Sequence, residues 1–306
     1  MVQNGIRSGT KTTYNSAQNR YIKFCAQYNL DMLPITTKNV LLFVTYLHKS
    51  KVSHASICVY LSALRSLQVM AGMPEPYLRT PQVKLALKAI ANDSAPTKQK
   101  MPIDIELLVK ILKMLHGQVN GLVWSAMLTL AFFAGLRGSE YTGFWDKGLY
   151  RYVKIAQVKF SQSKIGHVMY FQVARTETNI HGHSVPLGCT GKDLCPVCSM
   201  SRYLQNRLTS YGSTNDPLFL LHDKKVITKV MVDNKIKDIV KRLGMNPTQY
   251  STHSIRAGAA STAASLGFAE WEIKKLGGWR SSAYRRYIRN MDKHIVHFSA
   301  RLCEKR

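Results

Sequence analysis

Negative charge is what this sequence has least of: 17 Asp and Glu stand against 43 Lys and Arg in 306 residues, a formal charge of +26. Cysteine is also sparse. Six residues, Cys25, Cys58, Cys189, Cys195, Cys198 and Cys303, do not staple a chain of this length, which excludes a disulfide scaffold and points to a reducing compartment. No apolar run is long enough to cross a bilayer, and the opening MVQNGIRSGTKTTYN has no apolar h-region, so neither a membrane span nor a secretory leader is expected. With 45% hydrophobic and 20% charged residues the composition is that of a globular chain, long enough for two domains with separate cores.

The positive surplus is not a tail. Residues 1–99 carry 12 Lys and Arg against 3 Asp and Glu, and residues 100–306 carry 31 against 14. A surplus spread over two folded domains fits a long polyanion gripped along its length, which makes nucleic acid the expected partner ahead of a membrane surface or a merely soluble basic protein.

Apolar residues at three- and four-residue steps predict four helices in the first domain. Tyr14, Ala17, Tyr21, Phe24, Cys25 and Tyr28 share the first face, and Val40, Leu41, Val44 and Leu47 follow a Thr36–Thr37 cap signal. Ile57, Tyr60, Leu61, Leu64 and Leu67 mark a third helix from about Ser53 to Ala71, and Pro81 opens a fourth carrying Val83, Leu87 and Ile90. Residues 92–102, NDSAPTKQKMP, have no apolar period and read as a linker. The expected division is a helical domain over 1–91, the linker, a second domain over 103–290 and a terminal helix or tail over 291–306, where Ile295, Phe298 and Leu302 form a stripe.

The second domain opens with helices from Asp104 to about His116 and from about Leu122 to Ala134, the latter apolar nearly all round. Arg137 follows its end, and Glu140, three residues on, is placed to pair with it. Over residues 152–173 the period falls to two: Val153, Ile155 and Val158, then Val168 and Tyr170, predict a hairpin with Ser161 to Gly166 at its tip and Lys164 on that tip. Two further helices are expected at about Ser199–Ser210 and Thr228–Leu243, the second with Val230, Met231, Ile236 and Ile239 inward. Between hairpin and helices, Cys195 and Cys198 have C-x-x-C spacing, with Cys189, His181 and His183 upstream. Only one C-x-x-C is present and Pro196 sits inside it, so no metal is assigned and none enters the mechanism.

His253 to Arg289 concentrates groups that act on phosphate. His253 and Trp279 offer ring N–H donors, Arg256 a bidentate fork and Tyr287 a phenol able to attack phosphorus. Phosphodiester cleavage without a metal needs charge neutralised on two non-bridging oxygens, a nucleophile, and an acid for the leaving 5′ oxygen. Arg137 and Arg256 answer the first need and Tyr287 the second; Tyr284, three residues earlier, competes for the nucleophile's place.

G-L-R-x-x-E around Arg137, H-x-x-R at His253 and Arg256, G-x-W ending at Trp279, and Y-I-R at Tyr287 resemble the signature of the tyrosine recombinases, the phage-integrase family. The wording G-G-W-R-S-x-A-x-x-x-Y-I-R is most similar to the eukaryotic branch carried by Crypton, DIRS and Ngaro elements. The resemblance implies a mainly α fold with a small β-hairpin or sheet: a four-helix core-binding domain and a catalytic domain forming a C-shaped clamp on double-stranded DNA. It implies catalytic roles for Arg137, Lys164, His253, Arg256, Trp279 and Tyr287, with Glu140 supporting and no cofactor. Lys164 is preferred over Lys159 as the acid because Q-S-K at the turn matches that branch. Trp279 replaces the His of many bacterial members; since indole exchanges no proton, only an orienting role is carried over. A tetramer on paired sites, a terminal helix docking on a neighbouring protomer and nuclear action are implied likewise. The rival readings are an inactive, domesticated DNA-binding protein with this fold, and a type IB topoisomerase, which shares the chemistry but acts as a monomer.

Overall fold

The computed structural model describes residues 8–76, 78–94, 99–146, 149–164, 166–174, 182–210, 213–279 and 281–288. The chain divides into two compact units, Met1–Lys98 and Gln99–Arg306.

The first unit is four helices, α1 (Ser8–Gln27), α2 (Thr37–Lys49), α3 (His54–Met70) and α4 (Pro81–Asp93). The last three begin at hydroxyl caps: Thr36, Ser53 and Thr80 each accept from an amide three residues on, which satisfies a donor the helix itself leaves orphaned. Tyr21, Phe24, Phe43, Val44, Leu47, Ile57 and Leu64 make its core. Phe43, absent from the expected stripe, is its aromatic hub, with ring centroids 5.1 Å from both Tyr21 and Phe24. Tyr28 lies beyond α1 and is exposed. Gln68 is buried because both ends of its amide are used: Oε1 accepts from Ile35 N at 2.6 Å and Nε2 donates to Pro74 O at 2.7 Å.

In the second unit α5 (Ile105–Leu115) and α6 (Gly121–Phe133) are followed by a short α7 (Gly138–Thr142) and a two-stranded ribbon, β1 (Phe144–Asp146) with β2 (Leu149–Arg151). A three-stranded antiparallel sheet follows in the order β3 (Val158–Ser163), β4 (Gly166–Val173), β5 (His183–Gly188). Then come α8 (Pro196–Ser210), α9 (Lys229–Arg242), α10 (Thr252–Ser265) and α11 (Glu270–Gly277), with single turns of 3₁₀ helix at Ile155–Gln157, Pro247–Gln249 and Ser282–Arg286. The sheet packs its Met169, Phe171, Val173, Val185 and Leu187 face into the same core as α6, whose apolar circumference is buried as its sequence implies. Among the described residues no helix is long and apolar enough to cross a membrane.

Several details depart from the periodicity. Strand β3 starts at Val158, because Ile155–Gln157 is a helical turn, and the hairpin is tighter than expected: Ser163 pairs with Gly166. On α9 the buried face is Val232, Ile236, Ile239 and Val240, while Val230 is exposed, so the expected stripe is shifted. The polar run expected as linker is ordered at both ends. Helix α4 extends to Asp93, and Met101 N and Ile103 N each donate at 2.8 Å, to Gln249 O and Ser254 O. The terminal stripe of Ile295, Phe298 and Leu302 lies outside the described residues.

Candidate active site

Arg256 is the structural centre of the site. It opens the second turn of α10 and is 1% exposed. Burying a guanidinium is costly unless its N–H groups are used, and two backbone carbonyls use them. Nη1 donates to Gly135 O, beyond the end of α6, and Nη2 donates to Gly277 O at the end of α11, 2.8 Å away. Both acceptors come from glycines because nothing larger fits. A Cβ on Gly135, whose φ is +56°, would lie 3.2 Å from Gly277 Cα. A Cβ on Gly277 would lie 2.1 Å from Trp279 Cζ3.

That contact exists because Gly278, at φ +62°, ends α11 in a left-handed cap and turns the chain back. The indole of Trp279 then covers the guanidinium, with Arg256 Cζ 3.9 Å from the ring centroid. Tyr287 completes the cluster, its ring 5.6 Å from that of Trp279 and 5.7 Å from Arg256 Cζ. Burial lowers the pKa of Arg256, and repulsion from Arg137 adds to it, to about 10. The side chain is therefore charged at neutral pH.

Arg137 borders the same place, two residues after Gly135. The carboxylate of Glu140, itself buried, holds it twice, accepting from Arg137 Nη1 at 2.8 Å and from Arg137 N at 2.7 Å. The second bond also caps α7, so the residue that fixes the guanidinium also starts the helix. Half of the Arg137 side chain stays open to solvent.

His253 is set by a bracket from α9. Asp233 Oδ1 accepts from Thr252 N at 2.6 Å, tying down the start of α10, and its Oδ2 pairs with Lys229 Nζ at 2.9 Å. Burial pushes the Asp233 carboxyl up, but these two partners win and its pKa is lowered. The His253 ring reaches solvent, yet desolvation and the Lys229 ammonium hold its pKa below 6.5 against the pull of Asp233. It is therefore a neutral N–H donor at pH 7.

Tyr284 and Tyr287, three apart at the 3₁₀ turn Ser282–Arg286, both face Trp279, with ring centroids 6.4 and 5.6 Å from its own. Tyr284 is buried, whereas Tyr287 is half-buried, with its carbonyl accepting from Ser261 Oγ at 2.9 Å. Arg285, beside them, is partly neutralised by Glu270 at 3.3 Å. Lys164 is at the exposed turn between β3 and β4, and Lys159 lies on β3 opposite Tyr170. Among the described residues neither lysine is hydrogen-bonded or ion-paired to the arginine cluster, so the structure gathers Arg137, Glu140, His253, Arg256, Trp279 and Tyr287 and leaves the lysine apart. Of the histidines near the cysteines, His181 falls outside the described residues. His183 sits at the far end of β5 from Cys189, and its ring would be 3.5 Å from a Cβ on Gly278.

Of the five N–H donors of the guanidinium the two carbonyls take two, Tyr287 interacts with the group from the ring side, and Nε has no partner. With Arg137 alongside, the site offers two forks suited to the non-bridging oxygens of a phosphodiester, next to a phenol. Gly135 and Gly277, which place Arg256 through their carbonyls, and Lys229 and Asp233, which place His253, were not expected from sequence. Backbone acceptors leave no side-chain signature, although the Gly-Gly-Trp turn marked the neighbourhood.

A family model described as "Phage integrase, N-terminal SAM-like domain" matches residues 1–72, and one described as "Phage integrase family" matches residues 103–294. Comparison with curated proteins gives no match. Among solved structures, the Tn1549 transposon integrase in complex with circular-intermediate DNA is similar, with a TM-score of 0.62 at 14% identity over 98% of this chain and 94% of that one. XerH site-specific recombinase bound to a palindromic difH substrate gives 0.59 at 17% identity over 89% and 73%. A lambda integrase dimer bound to a COC′ core site gives 0.57 at 16% identity over 93% and 72%. At such identities the likeness is one of fold. Since the family match spans more than half of the sequence and contains every residue of the cluster, the chain belongs to the phage integrase family and has its two-domain tyrosine-recombinase fold.

Proposed function

We propose that the protein is a site-specific DNA recombinase or transposase that cleaves and rejoins strands through a covalent 3′-phosphotyrosine, without metal or ATP. The observation that carries this reading is the stacking of Arg256, Trp279 and Tyr287, which puts the phenol-bearing ring beside a guanidinium whose Nε has no partner. In the reaction Tyr287 Oη attacks phosphorus and the P–O5′ bond breaks. Arg137 and Arg256 take up the charge that builds on the two non-bridging oxygens, binding the transition state harder than the ground state. His253 donates a further hydrogen bond, and Trp279 orients Arg256. Lys164 gives its proton to the leaving 5′ oxygen, which requires the hairpin tip to approach the bound phosphate. The phosphotyrosine conserves the energy of the broken bond, and a 5′-hydroxyl from another strand reverses the step.

The partner is double-stranded DNA, as it is for the transposon integrase and the two other neighbours. The acting form is a tetramer on paired sites. Supporting this is an apolar groove of about 450 Å³ on the second unit, lined by Phe132, Phe133, Ala263, Phe268 and Trp271, with Trp271 65% exposed. Such a surface suits the Ile295, Phe298 and Leu302 stripe of a neighbouring protomer. The G-G-W-R-S wording supports membership of the eukaryotic mobile-element branch, and nuclear action follows if that membership holds.

The test is incubation with nicked DNA carrying the element's own terminal sequence, in EDTA, followed by denaturing electrophoresis and mass spectrometry. An adduct on Tyr287, absent in Tyr287→Phe, is expected. Tight, salt-sensitive binding with no adduct on any cognate DNA refutes catalysis and leaves a DNA-binding protein. Lys164→Ala should lose cleavage and regain it on DNA with a 5′-bridging phosphorothiolate, whose leaving group needs no acid; failure to regain it moves the acid to Lys159.

A further inference from the structure

Away from the arginine cluster, three thiols meet at the end of β5. Cys189 follows that strand, Cys195 ends the loop after it, and Cys198 is in the first turn of α8. Cys189 Sγ is 3.4 Å from Cys198 Sγ and 3.6 Å from Cys195 Sγ, and all three lie within 4.8 Å of one another. These are not disulfide distances, since a bonded pair stands at about 2.05 Å, and all three cysteines are free. They match another geometry. Four ligands at the zinc–sulfur distance of about 2.3 Å, arranged tetrahedrally, put sulfur atoms roughly 3.8 Å apart.

The backbone is also arranged for anionic sulfur. Thr190 N and Cys198 N both donate to Cys195 Sγ at 3.4 Å. Pro196, at the start of α8, has no amide to lose there, so its place inside the C-x-x-C is compatible with the turn.

Among the described residues only the three sulfurs lie within ligand distance of one another, and the candidate for a fourth ligand stands on β4, where its ring would have to turn toward them. Met169, Phe171 and Val173 face the core, and His167 has their parity. On β5, Val185 and Leu187 face the same core, and Cys189 has theirs. Val168 pairs with Gly188, so His167 and Cys189 are opposed at the open end of the ladder, where Cys189 N donates to His167 O at 2.8 Å. Side chains opposed in this way have Cβ atoms about 5 Å apart. His167, Cys189 and Cys198 line one cleft. His183 is excluded, because six residues of strand separate it from Cys189, roughly 20 Å.

We propose that Cys189, Cys195 and Cys198, with His167 as fourth ligand, bind a structural zinc ion that ties the β4–β5 edge to the start of α8. Three thiolates and one imidazole form a closed, borderline-soft donor set, which suits zinc over magnesium or calcium and leaves no open position for a reacting water. The ion joins segments that are otherwise connected by the loop of residues 189–195. It sits beside the tip of the hairpin, where His167 pairs with Gln162 three residues from Lys164, and its binding does not depend on the recombinase chemistry.

The full chain, purified without chelator and dialysed against buffer with trace zinc, is analysed for metal by mass spectrometry and for zinc released by a mercurial. One zinc per chain is expected, with all three thiols protected from alkylation until release. Cys195→Ser should hold none. As that variant also risks the fold, the wild-type protein is stripped and titrated with cobalt(II), where thiolate-to-metal charge-transfer bands and intense visible bands report a tetrahedral sulfur-rich site. His167→Gln, a change at an exposed position, should shift the visible bands and weaken zinc by more than the roughly 10–100-fold typical of losing an outer-shell partner. Wild-type protein that takes up no zinc and gives no charge-transfer band overturns the site. A disulfide among the three cysteines, with no metal uptake after reduction, overturns it equally. Unchanged bands in His167→Gln overturn the fourth ligand.

Discussion

Gly277→Ala tests the geometry of the arginine cluster, because two principles give it opposite signs. Gly277 is the last residue of α11, and in a helix Ala is ordinarily better than Gly by about 1 kcal/mol. In this structure the new Cβ would meet Trp279 at 2.1, 2.4 and 2.5 Å, from Cζ3, Cη2 and Cε3, far inside the ~3.5–4.0 Å of carbon–carbon contact. The methyl group fits only if the indole swings off. Overpacking costs about 1–3 kcal/mol and loss of a desolvated cation–π contact about 2 kcal/mol. After the propensity gain, the net loss is about 3 kcal/mol, which for a unit of some 200 residues lowers Tm by roughly 6–12 °C. Differential scanning calorimetry reads this directly, and cleavage of nicked DNA at a temperature where the variant is folded reads the displaced Arg256. An unchanged or raised Tm would refute the packing of Trp279 over Gly277 and the explanation of the Gly-Gly-Trp turn with it.

Other substitutions probe the same frame. Arg137→Lys and Arg256→Lys should keep DNA binding and lower single-turnover cleavage by about 10²–10³, because a point charge does not replace a fork; wild-type rates in both would sink the clamp role. Gly258→Ala should lower the urea midpoint by the upper end of the ~1–3 kcal/mol overpacking range, since its Cβ would fall 1.6 Å from Ile103 O, a backbone atom with no rotamer to yield. An unchanged midpoint would show that α10 and the segment at Ile103 are not in contact. Asp233→Ala removes a charge-assisted bond of about 1.5–3 kcal/mol to Thr252 N, and Asp233→Asn should restore part of it. For His253, whose folded pKa is depressed, the unfolded chain binds more protons below pH 6.5. Stability is then complete above that pH and falls as the pH drops through the folded pKa, and His253→Gln should flatten this slope; an identical slope in the variant would locate the titration elsewhere.

Helices with one buried face were legible in the sequence, and Thr36 caps α2 where a cap was expected; Ser53, Thr80 and Asp104, at or beside expected helix starts, are caps as well, because capping and periodicity are local. Arg137, His253, Arg256, Trp279 and Tyr287 were legible as motif residues, since each bears a group with phosphate chemistry. What the sequence hid are contacts made by groups common to every residue. The carbonyls of Gly135 and Gly277 hold Arg256, and an amide of Thr252 finds Asp233 nineteen residues away. Strand β5 was hidden because H-S-V-P-L-G holds only two inward apolar residues and a proline, a weak period-two signal. Val230 was placed inward because α9 offers two overlapping stripes; Val232 fits with Ile236, Ile239 and Val240 at steps of four, three and one, and only the tertiary partner decides between them.

The least expected feature is that Arg256 is covered. With 1% of its surface exposed, under the rings of Trp279 and Tyr287, it cannot meet a phosphate as it stands. Its Nε is buried without a hydrogen-bond partner, a cost of about 1–3 kcal/mol that an incoming phosphate oxygen would repay. The carbonyls of Gly135 and Gly277 fix the guanidinium from within, so the part free to yield is the segment bearing the two rings. Among the described residues, the bonds that tie this segment to the rest of the unit include Trp279 N to Lys274 O, Ser261 Oγ to Tyr287 O and Arg285 Nη2 to Glu270. Cognate DNA should therefore speed hydrogen exchange at the Trp279 and Tyr287 amides while slowing it at the buried start of α10, and Ser261→Ala should raise exchange at Tyr287 without DNA. Uniform protection of residues 277–288 on binding would mean that the rings stay in place, and that the phosphate is held by Arg137 alone.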